Sequence, residues 1–212
     1  MTTVLSRFLV LTMVFAWSGF AAAQSASQAA QEEPATAHAV VEGVTQDVVS
    51  LINGSKTLLA EDPQAYYDKV SALLEPVVAF DYIAKIVMAK HYKSASEAQR
   101  EEFAGVFQAS MVETFAKGMA NYSDFDIAVK PPEGDMQGQR KVEVIQEVKS
   151  KDGKNIVSYT MAQTKAREWK LINVVLNGIN LGKSFRDQFA QAMRQHNNDV
   201  DKVIATWGES VR

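Results

Sequence analysis

The sequence has no cysteine and only three histidines. Without cysteine the chain forms no disulfide, so its hydrophobic core must stabilise it alone. His38, His91 and His196 have no second histidine three or four residues away, and thiolate ligands are missing altogether. We therefore expect no zinc site, and we expect all three histidines to be solvent-exposed.

Catalytic patterns are also missing. The chain has no G-x-S-x-G motif, and its carboxylates are scattered over polar faces rather than paired inside an apolar stripe. Gly178 to Ser184 resembles a phosphate-binding loop, but three residues rather than four separate its glycines. We interpret it as a strand-to-helix turn in which Gly178 relieves φ and Ser184 caps the helix. With no catalytic residues and no cofactor expected, a binding protein is favoured over an enzyme.

Positive charge is not in excess. Lysine and arginine number 22 against 25 acidic residues, a formal net charge of −3. A mildly acidic chain lacks the electrostatic footprint of a nucleic-acid-binding protein, and it has no bulk attraction to anionic membranes.

The first residues have the organisation of a secretory signal peptide. Arg7 precedes the apolar run FLVLTMVFAW, and Ala21-Ala22-Ala23 supplies a small-residue cleavage site. The run is too short to span a bilayer. We predict a signal peptide over 1–23, a disordered Gln/Ala/Ser/Glu-rich leader over 24–37, and one folded domain over 38–210, exported to a bacterial periplasm as a soluble monomer.

The most regular stretch of the chain predicts a long helix from Ser96 to Tyr122. Ser96 and Gln99 form a capping-box pattern, and Glu113 and Lys117 are spaced for an ion pair. Its apolar face is wide and contains small residues at Ser110, Thr114 and Gly118. These residues indicate either the close approach of another element or a hollow that a foreign apolar group fills.

The remaining pattern predicts an α+β fold with one domain. Further helices are predicted over Ala39–Ile52, from Pro63 (capped by Asp62) to about Pro76, from Asp81 as N-cap to about Tyr92, from Ser184 to about Gln195, and over Asp199–Trp207. Strands are predicted around Phe125–Val129, Val142–Val148, Ile156–Gln163 and Glu168–Leu176, with a hairpin turn at Asp152-Gly153. About four antiparallel strands in meander order would form a twisted sheet wrapped by N-terminal and C-terminal helices, which can enclose an apolar pocket.

Two stretches carry a resemblance to a known family. They are FDYIAKIVMAKHYKSASEAQREEFAGVFQASMVETFA, from Phe80 to Ala116, and EWKLINVVLNGINLGKSFRDQF, from Glu168 to Phe189. In this order, behind a signal peptide, they resemble the toluene-tolerance (Ttg2/MlaC) family of periplasmic phospholipid-binding proteins. The chain departs from the family at four positions: Ala89 stands where glycine is usual, Tyr92 where tryptophan is common, Asn173 where aspartate is usual, and Asn180 where serine is usual.

The resemblance implies a carrier that moves phospholipid between an outer-membrane lipoprotein–porin complex and an inner-membrane MCE-domain ABC transporter, and so maintains outer-membrane lipid asymmetry. The bound phospholipid would be cargo rather than a cofactor. Two alternatives stay open: a small exported α+β esterase-like hydrolase, and a non-lipid adaptor whose apolar face binds another protein.

Under the carrier interpretation, acyl chains are expected to contact apolar residues of two helices and the sheet. The candidate lining is Tyr82, Ile83, Ile86, Val87, Phe103, Val106, Phe107, Ser110, Met111, Thr114, Phe115, Val144, Tyr159, Met161, Leu171 and Val174. Each of these residues could equally belong to the ordinary core, because cavity walls and cores have the same composition. Lys85, Lys183 and Arg186 are the candidates for contact with the head-group phosphate, together with a helix N-terminus near Ser184.

Overall fold

The computed structural model describes residues 35–55, 57–120, 126–136, 138–151 and 153–210. The helices in these residues are α1 (Ala37–Gly54), α2 (Leu58–Glu61), α3 (Pro63–Leu74), α4 (Phe80–Met88), α5 (Glu97–Ala120), α6 (Leu181–Gln195) and α7 (Val200–Ser210), with a 3₁₀ helix over Ala89–Lys93. The strands are β1 (Asp126–Val129), β2 (Lys141–Ser150), β3 (Gly153–Gln163), β4 (Trp169–Leu176) and β5 (Ile179–Asn180). The predicted α+β class is confirmed.

The strands form one antiparallel sheet in the order β1-β2-β3-β4-β5, which confirms the meander and adds a strand. Asn177 and Gly178 form the loop between β4 and β5, with φ of 48° and 83°. Two consecutive positive φ values are what a two-residue type I′ hairpin needs, and Asn-Gly is its preferred pair. Gly178 therefore joins two strands, and the predicted direct strand-to-helix turn was wrong.

Several helix starts follow from local hydrogen bonds. The capping box is confirmed: Gln99 N donates to Ser96 Oγ (3.1 Å) and Ser96 N donates to Gln99 Oε1 (2.9 Å). Asp62 caps α3 as predicted, accepting from Ala65 N at 3.0 Å.

Three predicted boundaries need correction. The N-cap of α4 is Ala79, so Asp81 lies in its first turn. Helix α1 begins at Ala37, which is buried, so the last residue assigned to the leader belongs to the fold. Asn180 caps α6 by accepting from Lys183 N at 2.9 Å, whereas Ser184 lies inside the helix and donates to Asn180 O.

The pairing register assigns the sheet side chains to two faces. Val142, Val144, Gln146 and Val148 of β2 pair with Met161, Tyr159, Val157 and Asn155 of β3, and Tyr159 and Val157 pair with Val174 and Leu176 of β4. These residues, with Leu171, share one side of the sheet, which we call the inner face. Helix α1 packs against it through Ala37 and Val41.

Helix α4 is tied to the free edge of β4. Ala79 N donates to Leu171 O at 3.0 Å, and Leu171 N donates to Val77 O at 2.7 Å. The ammonium of Lys170 also contacts the carbonyl oxygen of Pro76. The chain therefore enters α4 from a segment that is hydrogen-bonded to the sheet.

Some predictions fall outside the described residues: the signal peptide, most of the leader, Tyr122 at the end of the long helix, Phe125, and Asp152 of the hairpin turn. Within the part of the chain that the structure describes, no helix combines the length and apolar character needed to cross a membrane.

Candidate functional site

Most of the buried apolar side chains form two clusters, a large one among the helices and a small one on the sheet, and Val48 of α1 is buried in neither. The helical cluster contains buried residues of the helices and of the turn before α5: Tyr66, Val70, Phe80, Ala84, Val87, Met88, Ala95, Phe103, Phe107, Val112, Ala116, Phe189, Met193, Val203, Ile204 and Trp207. The sheet cluster contains Ala37, Val41, Val142, Val144 and Met161.

Aromatic rings fill the centre of the helical cluster. The Phe103 ring lies 4.8 Å from that of Phe189 and 5.3 Å from that of Trp207, both edge to face. Phe107 makes a similar contact with Phe185 at 5.6 Å. Because Phe103 and Phe107 are completely covered by the chain's own side chains, they act as core residues in this structure.

The other predicted lining residues of the helices divide between core and surface. Val87 is buried in the helical cluster, and Ile83, Val106 and Met111 pack partly buried against it. Tyr82, Ile86, Thr114 and Phe115 are exposed. The apolar face of the long helix was predicted to contact acyl chains, but α6 and α7 cover much of it.

Ser110 lies at a contact between two helices. It is buried on α5, its hydroxyl donates to Val106 O at 2.7 Å, and a Cβ added at Gly208 of α7 would lie 3.9 Å from its Oγ. A Cβ added at Gly118, two turns further along α5, would meet nothing within 4 Å. Ser110 therefore lies at a helix contact of ordinary distance, and Gly118 has no neighbour that requires glycine.

The predicted sheet residues lie on the inner face. Val144 and Met161 are buried against α1, Tyr159 and Leu171 pack partly buried against the same cluster, and Val174 is half-buried outside both clusters. The Tyr159 hydroxyl donates to Gln146 Oε1 at 2.8 Å, and burial raises the pKa of Tyr159 to about 12. Tyr159 is therefore a neutral hydrogen-bond donor at any physiological pH.

Large apolar side chains are accessible on α4 and at the β4–β5 hairpin. Tyr82 is 48% exposed and Ile86 41%, and they are one helical turn apart on α4. Leu176 is 38% exposed and Ile179 61%, and they face each other across the hairpin. Neither Leu176 nor Ile179 was among the residues predicted to contact acyl chains. The Asn-Gly hairpin signal would have drawn attention to them, because it fixes them as a cross-strand pair.

Helix α1 connects the two clusters. Ala37 and Val41 near its start belong to the sheet cluster, and Leu51 near its end packs against the helical cluster. Its middle therefore crosses the interval between the clusters. We give the name apolar gap to the accessible apolar residues of α4 and the β4–β5 hairpin together with two half-buried residues of the inner face: Tyr82, Ile86, Val157, Val174, Leu176 and Ile179.

The three candidate head-group residues are exposed but differently engaged. Lys183 Nζ donates to Asp187 Oδ2 at 2.7 Å, and this bond lowers the pKa of Asp187. Lys85 Nζ lies 5.2 Å from the Tyr92 ring centroid, and the Arg100 guanidinium lies 4.5 Å from the same ring. Arg186 adds to the positive potential that lowers the pKa of Asp187.

The α6 N-terminus uses its donors internally. Gly182 N donates to Asn173 Oδ1 at 3.2 Å, and Lys183 N donates to Asn180 Oδ1. A Cβ on Gly182 would lie 2.5 Å from Asn173 Oδ1, so a larger residue there would displace the Asn173 side chain. Two of the amides proposed for a phosphate are therefore already bonded to asparagine side chains.

The strongest charge cluster lies on the opposite face of the sheet. Glu147, with its side chain only 6% exposed, accepts from Lys154 Nζ at 2.6 Å, Lys130 Nζ at 3.1 Å and Lys149 Nζ at 3.4 Å. Hydrogen bonds from Lys154 and Lys130 lead the effects that lower the pKa of Glu147 to about 2. Glu147 therefore stays ionised and links β2 to β3 and to Lys130, the residue that follows β1.

The histidines are more buried than predicted: all three are half-buried. The His91 ring lies 6.0 Å from that of Phe189, and burial, assisted by Lys90, lowers the pKa of His91. His196 Nε2 lies 3.5 Å from Thr206 Oγ1. Among the described residues no three His, Cys, Asp or Glu side chains converge in a way that could hold a metal ion.

Comparison with known proteins gives consistent matches. The family model described as MlaC protein matches residues 42–209. The toluene tolerance protein ttg2D of Pseudomonas putida is 34% identical over 177 residues, which cover 83% of this chain and 81% of that protein. A phospholipid-binding protein from Ralstonia solanacearum, solved in complex with a phospholipid, superposes with a TM-score of 0.74 at 21% identity, covering 84% of this chain and 97% of that one. The chain belongs to the MlaC family.

Proposed function

We propose that this chain is a phospholipid carrier whose apolar gap holds the acyl chains. The observation that carries the proposal is the set of large apolar side chains that stay accessible on α4 and the β4–β5 hairpin, outside both buried clusters. The family match and the phospholipid bound by the structural neighbour support the same ligand class.

The energetics of such a carrier require an apolar site rather than catalysis. A phospholipid with two acyl chains carries roughly 30 methylenes. At about 0.8 kcal/mol each, transferring these chains from a bilayer into water costs roughly 25 kcal/mol of free energy. A dry site of similar apolar area makes transfer from a bilayer nearly thermoneutral. The direction of transfer must then come from partners.

The candidate head-group contacts suit a phosphate that stays near solvent. Lys85, Lys183 and Arg186 are all exposed, and Lys85 lies on α4 beside Ile86. A lipid with its chains against Ile86 would bring its phosphate within reach of surface cations without burying a charge, which would be costly. We propose Lys85 as the first of these contacts, because it is the one on an element of the apolar gap.

The cellular role we propose is the one implied by the family resemblance. After export directed by residues 1–23, the chain would shuttle phospholipid in the periplasm between an outer-membrane lipoprotein–porin complex and an inner-membrane MCE-domain ABC transporter. That traffic would maintain outer-membrane lipid asymmetry. The proposal assigns the chain no catalytic step.

Native mass spectrometry of the purified chain tests the proposal. We expect a protein peak with the added mass of phospholipid, and organic extraction should release that lipid. Ile86→Lys should lower occupancy about tenfold, because an ammonium would replace apolar contact in the gap. The matched control is Ala72→Lys, an exposed position on helix α3, which should keep wild-type occupancy.

The alternatives give different results. A hydrolase would turn over a small ester, and replacing one serine or one acidic residue would abolish that activity. No lipid would copurify with it. An adaptor would copurify with no lipid and would acquire none from membranes. Either result would contradict the carrier proposal.

A further inference from the structure

A buried polar network crosses the inner face of the sheet and joins it to α1. The Tyr159 hydroxyl donates to Gln146 Oε1 (2.8 Å), and Gln146 Nε2 donates to Thr45 Oγ1 (2.7 Å). The Thr45 hydroxyl in turn donates to Val41 O (2.7 Å). We call this chain of hydrogen bonds the Thr45–Gln146–Tyr159 network.

The network is complete and well covered. Gln146 at its centre is only 4% exposed, Thr45 and Tyr159 are half-buried, and each hydrogen bond named above has a donor and an acceptor within the network or the backbone. Polar side chains buried in this way resist displacement, because removing one partner leaves the others without hydrogen bonds in an apolar environment. The network is therefore a rigid polar boundary within an apolar face.

The network separates two regions of the inner face. On one side, Val142, Val144 and Met161 are buried against α1. On the other side, Val148 and Val157 are half-buried, and Leu176, the β4 partner of Val157, is exposed. Gln146 lies between Val144 and Val148 on β2, and Tyr159 lies between Met161 and Val157 on β3. One region is filled by the chain itself, and the other belongs to the apolar gap.

We propose that the Thr45–Gln146–Tyr159 network is the floor of the apolar gap and limits the length of the acyl chains that the protein accepts. This inference rests on the proposed carrier function. An acyl chain on the Val157 side meets the network at its terminal methyl group, and it can advance only by breaking satisfied hydrogen bonds. A longer chain must instead leave its excess methylenes exposed at the mouth.

The test uses vesicles that contain equal amounts of phosphatidylglycerols whose acyl chains differ by two methylenes. The protein is incubated with these vesicles, and the bound lipids are measured by mass spectrometry. The wild type should discriminate against the longest chains. Gln146→Ala combined with Tyr159→Phe removes the polar boundary and opens space, so the share of longer chains should rise by up to about fourfold for each methylene newly accommodated.

Two further variants keep the inference falsifiable. Gln146→Leu with Tyr159→Phe removes the hydrogen bonds of the network but keeps most of its volume, so it should admit longer chains than the wild type, though fewer than Gln146→Ala with Tyr159→Phe. A distribution equal to that of the wild type would show that volume alone sets the limit, and would overturn the inference. Val157→Phe adds bulk on the gap side beside Gln146 and should shift bound lipid toward shorter chains even if the double variants fail to fold.

The outcomes separate the two proposals. If the wild type acquires no phospholipid, the carrier function itself fails. If the wild type loads lipid but neither Gln146→Ala/Tyr159→Phe nor Val157→Phe changes the chain-length distribution, the carrier stands and the network is not its floor. Ile145→Ala, on the opposite face beside Gln146, should leave the distribution unchanged, and a shift there equal to that of the network variant would also overturn the inference.

Discussion

Ala89 has a backbone conformation that an alanine rarely adopts. It follows α4 with φ of 50° and ψ of −121°, in a region where only glycine lacks a steric penalty. The family resemblance places glycine at this position, so the departure noticed in the sequence coincides with local strain. We predict that Ala89→Gly raises the free energy of unfolding by about 1 kcal/mol in urea denaturation.

The control for this prediction is Ala109→Gly, at an exposed position inside α5. Glycine in a helix interior costs about 0.5–1 kcal/mol relative to alanine, so this variant should lose stability. The opposite signs of the two changes identify the φ of Ala89 as the cause. Loss of stability in both variants would contradict the account.

Glu147 makes the free energy of unfolding depend on pH. Because its pKa is lowered to about 2 in the fold, from an ordinary value of 4.5, it contributes stability above the ordinary value and loses that contribution as pH falls toward 2. We predict that Glu147→Gln is less stable than wild type at neutral pH, and that the difference shrinks between about pH 4.5 and pH 2. Urea denaturation across this range measures the effect.

Glu143→Gln is the matched control, since Glu143 is an exposed residue on the same face of β2. Its free energy of unfolding should match that of the wild type at every pH. A Glu147→Gln deficit that stayed constant down to pH 2 would show that the lysine contacts do not set the stability.

The role of a single residue was predictable where its hydrogen-bond partner lies only a few residues away in the sequence. Ser96 and Gln99 are three residues apart, so the sequence alone identified both hydrogen bonds of the capping box. Asn180 could not be chosen over Ser184 in the same way, because both are good cap residues. The choice depends on β5 ending at Asn180, which is a consequence of sheet pairing.

At the scale of an element, helix α5 shows which features were predictable from the sequence and which depend on packing. Its start and its Glu113–Lys117 ion pair (2.7 Å) were correctly predicted from capping and spacing. Which part of its wide apolar face would be covered could not be predicted. Phe103 and Phe107 are buried because α6 and α7, some eighty residues or more later in the chain, fold back on them.

The contact between α5 and α7 gives a test at this scale. Ser110→Trp would force a large ring into the space beside Gly208, and we predict a loss of about 1–3 kcal/mol in the free energy of unfolding. Ala109→Trp, at the exposed neighbouring position, should change stability little. If Ser110→Trp folded with wild-type stability, the position would be part of a hollow rather than a helix contact.

At the scale of the whole molecule, the fold class and the strand order were predictable, but the division of the core was not. Alternation and turn signals identify a meander, because its pairings are between neighbouring strands. The separation of the helical and sheet clusters depends on which helices pack on the sheet, and α1 is the helix whose residues reach both clusters. Val144 and Val174 therefore look alike in sequence, although one is buried and the other borders the apolar gap.

The central claim is that acyl chains occupy the apolar gap. The most direct measurement is crosslinking with a phospholipid that carries a photoreactive diazirine in its acyl chain, followed by peptide mass spectrometry. We predict labelled peptides that contain Ile86 of α4 and Leu176 or Ile179 of the β4–β5 hairpin, with little label on Phe103 or Val144. Label confined to surface positions such as Ala128 of β1, or no label above background, would contradict the claim.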